Sequence, residues 1–392
     1  MALSKPTINM TADLLRIIVR QCEYPAIQIL RKTSATVRDL VDRRLPDGSV
    51  YAISIKSCTN SIFFEIKSGN PNSPSAGQLY PRGNRIKIEY QFHKKGCLVI
   101  LERRGGRKSQ RLVRDESFVN VFWKDFESLL DTNQGKVLED FKINFEMIEW
   151  GKKPKKYYYK FIAQLEEVIK RRGFLKTKNV SMKIFKEHEC RLILSLMDSN
   201  YLEGIHFSSI EIPGTSKLIE YSRIFDLFVV EDLVQWENAK TIKSEDFEIY
   251  WERGILHFEN VNVRMTFIPG HTVDRIVQEF FTSTIPTKHF TILGYGYESY
   301  TGECYLKMYE SLDERKIFLQ SELSENIVEV FFSPNSFQIR LVKNSNVPPG
   351  LIKDWIPREQ REENIDDSDN ESDDDLDSDD DDDDTDFDDE HL

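Results

Sequence analysis

Three consecutive stretches decide the fold: Val180-Ser-Met-Lys-Ile-Phe185, Glu187-His-Glu-Cys-Arg-Leu-Ile-Leu-Ser-Leu-Met197 and Tyr201-Leu-Glu-Gly-Ile-His-Phe207. Their apolar periodicity predicts strand, helix, strand. Upstream, Lys155 to Arg172 is amphipathic, with Tyr158, Phe161, Ile162, Leu165, Val168 and Ile169 on one side, and Gly173 fits a C-terminal stop. Downstream, a helix is expected over Asp232 to Lys240 and an extended segment over Thr241 to Phe247. Val261 to Phe267, His271 to Ser283 and His289 to Tyr295 repeat strand, helix, strand. Units of roughly 20 to 40 residues fall in the range of α/β repeats, although no leucine-rich consensus recurs. Ile327 to Phe332 and Phe337 to Val342 flank Ser333-Pro-Asn-Ser336 as a closing hairpin.

The preceding hundred residues have a different character. Tyr51 to Ile55 and Ser61 to Ile66 are β-rich runs, followed by a loop, Gly69 to Gly83, rich in Pro, Asn, Ser and Gly. Arg85 to His93 alternates through Ile86, Ile88, Tyr90 and Phe92. Cys97 to Arg103 and Arg107 to Val113 flank the turn Arg104-Gly105-Gly106. A helix over Glu116 to Leu130 and a strand over Phe141 to Phe145 follow.

The two ends differ again. Residues 10 to 42 predict three short helices, carrying Leu14, Leu15, Ile17, Ile18 and Cys22, then Ile27, Ile29 and Leu30 after Pro25, then Val37, Leu40 and Val41. Helices this short have little core of their own, so they call for packing on the next unit or on a partner. From Glu362 to Glu390 there are 20 acidic side chains and no Lys or Arg. The formal charge of −13 is therefore uneven: 66 − 20 leaves 46 acidic against 53 basic residues, or +7 for the rest. Such a tail is expected to be disordered, because repulsion is high and there is little to bury. It reads either as a solvated tail or as an arm for a basic partner, and folding back onto basic patches is a third option. Ser368, Ser372 and Ser378 each precede an acidic residue at the third position, which suits an acidophilic kinase.

The fold class is thus mixed, α+β and α/β. It comprises a three-helix unit at 10–45, a mixed β-rich unit at 50–150, an α/β repeat domain at 151–345 and a disordered acidic tail at 357–392. No apolar run approaches the roughly 20 residues that cross a bilayer, and Met1 to Met10 lacks signal-peptide character. Cytoplasm or nucleus is the expected compartment. Cys22, Cys58, Cys97, Cys190 and Cys304 lie too far apart for a zinc site and are expected as reduced, mostly buried thiols.

The chain carries no P-loop, no G-x-S-x-G, no H-E-x-x-H and no G-x-G-x-x-G after a strand, so no catalytic residue, metal or cofactor is assigned. Glu187-His188-Glu189-Cys190 is the densest ligand-like cluster, but on a helix His188 and Cys190 point apart. His206 and His257, read as strand residues, fit satisfied or surface histidines. Arg103, Arg104, Arg107, Lys108 and Arg111 crowd one hairpin tip, and Lys152, Lys153, Lys155 and Lys156 precede Tyr157-Tyr158-Tyr159. Basic residues beside aromatics can hold phosphates and stack bases. The same spacing suits a soluble turn, a helix flank or a nuclear-import signal, and nucleic acid is disfavoured as a partner.

The N-terminal unit resembles an F-box. Met10-Thr11-Ala12-Asp13-Leu14-Leu15 with Ile18 matches its first part, and Ile27, Leu30-Arg31-Lys32, Val37-Arg38 and Leu40-Val41-Asp42 match its second. Thr11 stands where the motif has proline, and Thr33-Ser34 where it has Val-Cys. The remainder resembles the FTH domain of the nematode F-box A family, through Val180 to Phe185, Tyr201 to Ser208, Leu233-Val-Gln-Trp-Glu-Asn-Ala-Lys240 and His257-Phe-Glu-Asn-Val-Asn-Val-Arg264. The resemblance implies a leucine-rich-repeat-like domain and a protein-binding adaptor rather than an enzyme. Met10, Thr11, Leu14, Leu15, Ile18, Ile27 and Leu30 would dock on Skp1 in a cullin-type ubiquitin ligase, and the C-terminal domain would capture an unknown protein target. The same apolar residues could instead form the internal core of the three helices. The alternative function is a scaffold with a lapsed F-box, or a binder of basic proteins through the acidic tail.

Overall fold

The computed structural model describes residues 50–68, 84–102, 106–146, 152–210, 223–249, 253–265, 270–294, 315–321, 324–333, 336–348 and 352–354. The expected helices at 10–45, with Met10, Thr11, Leu14, Leu15, Ile18, Ile27 and Leu30, lie outside these residues, as does the tail with Ser368, Ser372 and Ser378.

Hydrogen bonding joins all the described strands into one sheet. β1 (Val50–Ser57), β2 (Ser61–Ser68), β3 (Asn84–His93), β4 (Gly96–Glu102) and β5 (Lys108–Arg114) form an antiparallel meander. β1 also pairs in parallel with β6 (Leu138–Phe145), which opens a run of parallel strands laid side by side in chain order. These are β7 (Thr177–Ile184), β8 (Gly204–Ser209), β10 (Thr241–Ile249), β11 (Asn260–Met265) and β12 (His289–Gly294). The short β9 (Arg223–Phe225) pairs with the second half of β10. Past β12 the sheet continues antiparallel through β15 (Ser336–Val342), β14 (Ile327–Ser333) and β13 (Arg315–Gln320), and β16 (Ile352–Asp354) closes that edge parallel to β13. β9, β13 and β16 are strands that the sequence patterns did not announce.

The alternation of side chains along each strand explains why one face is covered. In β7, Val180, Met182 and Ile184 are buried while Asn179, Ser181 and Lys183 turn the other way. The same phase holds for Phe141, Ile143 and Phe145 in β6 and for Val261, Val263 and Met265 in β11. α1 (Phe118–Thr132), α2 (Lys152–Lys170), α3 (Glu187–Ser195), α4 (Val234–Asn238) and α5 (Gly270–Thr282) bring their apolar residues to this face. Ser117 caps α1 by accepting the Asn120 N–H through its hydroxyl. Gly173 follows α2 with φ +85°, a left-handed conformation suited to glycine, and so stops the helix as its position predicts.

Two readings are corrected. Only Val234–Asn238 of the expected helix at 232–240 is helical, and a separate 3-10 turn, Leu227–Val229, precedes it. Extended backbone at Leu233 and Ala239 bounds that one turn, which buries Trp236 and sends its indole N–H to the Gly254 carbonyl. His257 lies in a turn after a 3-10 segment, Arg253–Ile255, rather than in a strand.

Candidate protein-binding face

Among the described residues, the helices all contribute to the core side, so the opposite face of the sheet is the large regular surface available. Register aligns its side chains into rows. One row runs Ser54, Lys142, Ser181, His206, Lys243, Asn262, Thr291, Gln338, a polar residue on each of eight adjacent strands. Lys142 and Asn262 are exposed and the other six half-buried. A parallel sheet is normally covered on both faces. Here that side is polar and part-exposed from β6 to β12, whereas at β13 and β14 it buries Phe318, Ile327 and Glu329.

Local contacts fix parts of this face. Ser181 Oγ and His206 Nδ1 lie 3.2 Å apart across β7 and β8. Asn179 donates from Nδ2 to the Glu139 carbonyl at 2.9 Å. Gly204 sits beside it on β8, and a Cβ there would fall 2.4 Å from Asn179 Oδ1. Glycine at 204 therefore permits the asparagine to lie flat between β6 and β8.

Toward β13 the face holds an ionic cluster. Arg340 donates to Glu329 through Nε and Nη2, at 2.9 to 3.1 Å, and Lys316 reaches the same carboxylate at 3.0 Å. Burial pushes the Glu329 carboxyl up, but hydrogen bonds from Lys316 and Arg340 outweigh it and hold it below the usual range. His289 stands beside Arg340 in register, and burial first, then the guanidinium charge, lowers its pKa. His289, Lys316, Glu329, Phe331, Gln338 and Arg340 line a hollow of about 250 Å³. Two cations share one carboxylate, so the cluster retains positive charge and suits an acidic group.

Other candidate groups fall elsewhere. In Glu187-His188-Glu189-Cys190, His188 is exposed whereas Glu189 and Cys190 are buried. Glu189 acts structurally: its Oε2 accepts the N–H groups of Phe185 at 2.7 Å and Lys186 at 3.1 Å, and the Tyr158 hydroxyl. Among the described residues no group of three or more His, Cys, Asp or Glu could hold a metal. Cys58, Cys97 and Cys190 are free, buried thiols, and burial pushes Cys97 up to about 11. His257 meets the Trp236 carbonyl through Nε2 at 2.9 Å.

The basic clusters separate as well. Arg107, Lys108 and Arg111 are exposed at the β5 edge, while Arg103 and Arg104 lie outside the described residues. Lys152 to Lys156 form the first turns of α2 rather than a flank. Two of the three tyrosines that follow serve the core. Tyr158 is buried, and Tyr157 stacks on Phe118 and receives the Ser57 hydroxyl at 3.2 Å. Only Tyr159 is exposed, which removes most of the base-stacking half of that motif.

The parallel strands β7 to β12, their crossovers and the polar rows together span one continuous segment, whose pattern can be compared with known families. Residues 159–304 match the family model of the FTH domain. No curated protein matches the chain. The FTH segment thus begins within α2 and includes β7, β8, β10, β11 and β12, so it supplies the middle of the open face. The ionic cluster lies mostly beyond it, on β13 to β15. This family is associated with F-box proteins and with protein interaction. No helix among the described residues is long and apolar enough to cross a membrane. Sequence reasoning missed Glu329, Lys316, Arg340 and His289, because β13 went unread and nothing local ties Lys316 to Arg340.

Proposed function

We propose that this chain is a protein-binding adaptor of the cytoplasm or nucleus, without catalytic activity, and a substrate-recognition subunit of a Skp1-cullin-F-box ubiquitin ligase. One observation carries the adaptor reading: the FTH segment presents a register-aligned row of polar, part-exposed side chains on the side of the sheet opposite the helices. Parallel strands laid down in chain order, with helical or 3-10 crossovers, also favour a leucine-rich-repeat-like array, and such arrays recognise partners over extended surfaces. The ligase half rests on the F-box resemblance of 10–45, where Met10, Thr11, Leu14, Leu15, Ile18, Ile27 and Leu30 would bury against Skp1.

A second reading is a scaffold that no longer contacts Skp1, favoured by Thr11 in place of proline and Thr33-Ser34 in place of Val-Cys. Co-purification separates the two. Purified Skp1 is mixed with the full chain and with a Leu14→Asp, Ile18→Asp double variant. The ligase reading expects capture by the native chain and loss in the double variant. Failure of the folded native chain to capture Skp1 favours the scaffold.

A further inference from the structure

The sheet ends at β16 on one side and at β5 on the other, and the two edges differ. β16 is three residues long, and so short an edge offers little ladder to another strand. β5 runs seven residues, Lys108–Arg114, and among the described residues it bonds only to β4. In an antiparallel pair every second residue turns its N–H and C=O away from the partner strand. β5 therefore presents a row of main-chain donors and acceptors along its free side.

The side chains of β5 select what can pair with it. Lys108, Ser109, Gln110, Arg111 and Arg114 are exposed, and the strand holds no carboxylate. Lys108 faces Glu102 across the pair, at 3.8 Å. Among the described residues, Arg107, Arg111 and Arg114 enter no ion pair. The two sides of the edge also differ. Toward the helices Arg111 stands opposite Val99, with Arg107 just before the strand. Toward the other side Leu112 stands opposite Leu98 and Gln110 opposite Ile100. Leu98, Ile100 and Leu112 are half-buried and take no part in the core cluster.

A second copy of the chain does not suit this edge. Antiparallel pairing of β5 with itself about Arg111 sets that arginine against its equivalent and Lys108 against Arg114. Parallel pairing in register sets every cation against its own kind, and like charges directly opposite destabilise a ladder. The acidic run of this chain is also a poor match. From Glu362 to Glu390 its apolar residues are Ile365, Leu376 and Phe387, never at alternate positions, and aspartate disfavours strands. Charge on an edge deters pairing, but charge of one sign deters only neutral and like-charged strands.

We propose that β5 is a docking edge for an extended acidic segment of a partner protein, which adds to the sheet as a further strand. Its carboxylates face Arg107 and Arg111, and its apolar residues lie over Leu98, Ile100 and Leu112. Main-chain hydrogen bonds hold the segment and the alternate side chains select it. The edge lies outside 159–304, so this interface is separate from the FTH segment and does not rest on the adaptor reading.

The probe is a fluorescein-labelled, end-blocked peptide of seven residues alternating Glu and Val, titrated into the full chain at low salt and followed by anisotropy. Saturable binding is expected, with hydrogen exchange slowed several-fold at the amides of 108–114 that face away from β4 and unchanged in β16. The same peptide methylated at every amide nitrogen keeps its charge and loses its main-chain donors, so it should bind about tenfold more weakly or worse. An Arg107→Glu, Arg111→Glu variant should lose the Glu-Val peptide by a similar factor and gain a Lys-Val peptide, a gain that also shows the variant to be folded. No saturable binding, equal binding of the methylated peptide, protection elsewhere than β5, or an unchanged preference in the variant would overturn the proposal. Oligothymidylate bound more tightly than the peptide through the same two arginines would assign the edge to nucleic acid instead. Amides of 108–114 that are protected without peptide, and open when the Asp and Glu of 366–390 are replaced by Asn and Gln, would make the chain's own tail the occupant and overturn it too.

Discussion

Glu189 shows how much one side chain can hold. It occupies the first turn of α3, is 2% exposed, and its carboxylate gathers two backbone N–H groups and the Tyr158 hydroxyl from α2. Acidic groups are favoured at a helix N-terminus, and here one also ties two helices together. Burial, then the charge of Glu189, holds the Tyr158 phenol far above its ordinary range, so it remains a donor. Each buried group left unpaired costs about 1–3 kcal/mol, so Glu189→Ala should lose about 3 kcal/mol or more in urea unfolding, and Tyr158→Phe about 1 kcal/mol. A Glu189→Ala loss no larger than that of Tyr158→Phe would count against the shared acceptor. The histidines act in another direction. His257 and His289 both have pKa values lowered from 6.5, chiefly by burial. In that window the unfolded chain binds more protons, so stability is full above 6.5 and falls as pH drops below it. Glu329, held below its ordinary 4.5, adds a second loss as pH falls through its folded pKa. Melting temperature followed from pH 7 to 3 should fall in both windows, and a His257→Gln, His289→Gln variant should lose most of the upper step. An unchanged upper step would show that other groups cause it.

At the scale of elements, packing of aromatic rings explains why α1 seats where it does. Phe122 is fully buried and meets Phe64 at 5.5 Å and Tyr90 at 5.7 Å in edge-on geometry, and Phe161 of α2 at 5.8 Å in a stack. One side chain therefore joins β2, β3, α1 and α2. Phe122→Ala should cost about 3–5 kcal/mol by chemical denaturation, the range for truncating a buried ring. Phe174→Ser, at a 66% exposed position after α2, should change stability by no more than about 0.5 kcal/mol. Equal losses for the two would contradict the packing. Such elements were legible where period and length agreed. The alternation in β7, the apolar stripe of α2 and the strands around Ser333 to Ser336 each specify their own geometry. Short segments were not legible: β9 and β16 have three residues each, and the one-turn α4 depends on Trp236 reaching Gly254. The open face shows the same limit. Its alternation was readable strand by strand, but its rows arise from register between strands up to about a hundred residues apart. The cluster around Glu329 is therefore a product of pairing between β13, β14 and β15, and no local pattern marks it.

At the scale of the whole molecule, the question is whether the antiparallel meander and the parallel strands unfold together. β1 pairs with β2 on one side and β6 on the other, and β6 continues directly into β7, so hydrogen bonds cross position 150 without a break. Helix packing reinforces the join. α2 follows β6, yet its Phe161 sits among rings of α1, and Arg171 and Arg172, in the turn just past its end, pair with Glu127 and Asp131 of α1. Exposed ion pairs contribute little each, so apolar burial across the join dominates the coupling. Separating the two regions would expose the Phe141, Ile143 and Phe145 side of β6 and strip β7 of a neighbour. Cooperative unfolding follows, and it can be read locally because Trp123 lies in α1 and Trp236 in α4, both buried. Two full-length variants, each keeping one of these tryptophans and carrying Phe at Trp150, Trp251, Trp355 and the other, report the two regions separately. Their fluorescence midpoints in urea should coincide after correction for each variant's overall stability. A lower midpoint for Trp236 than for Trp123 would mean that the parallel strands detach while the meander survives. In that case the sheet, although continuous in its hydrogen bonds, would hold two energetic units joined at β6 and β7.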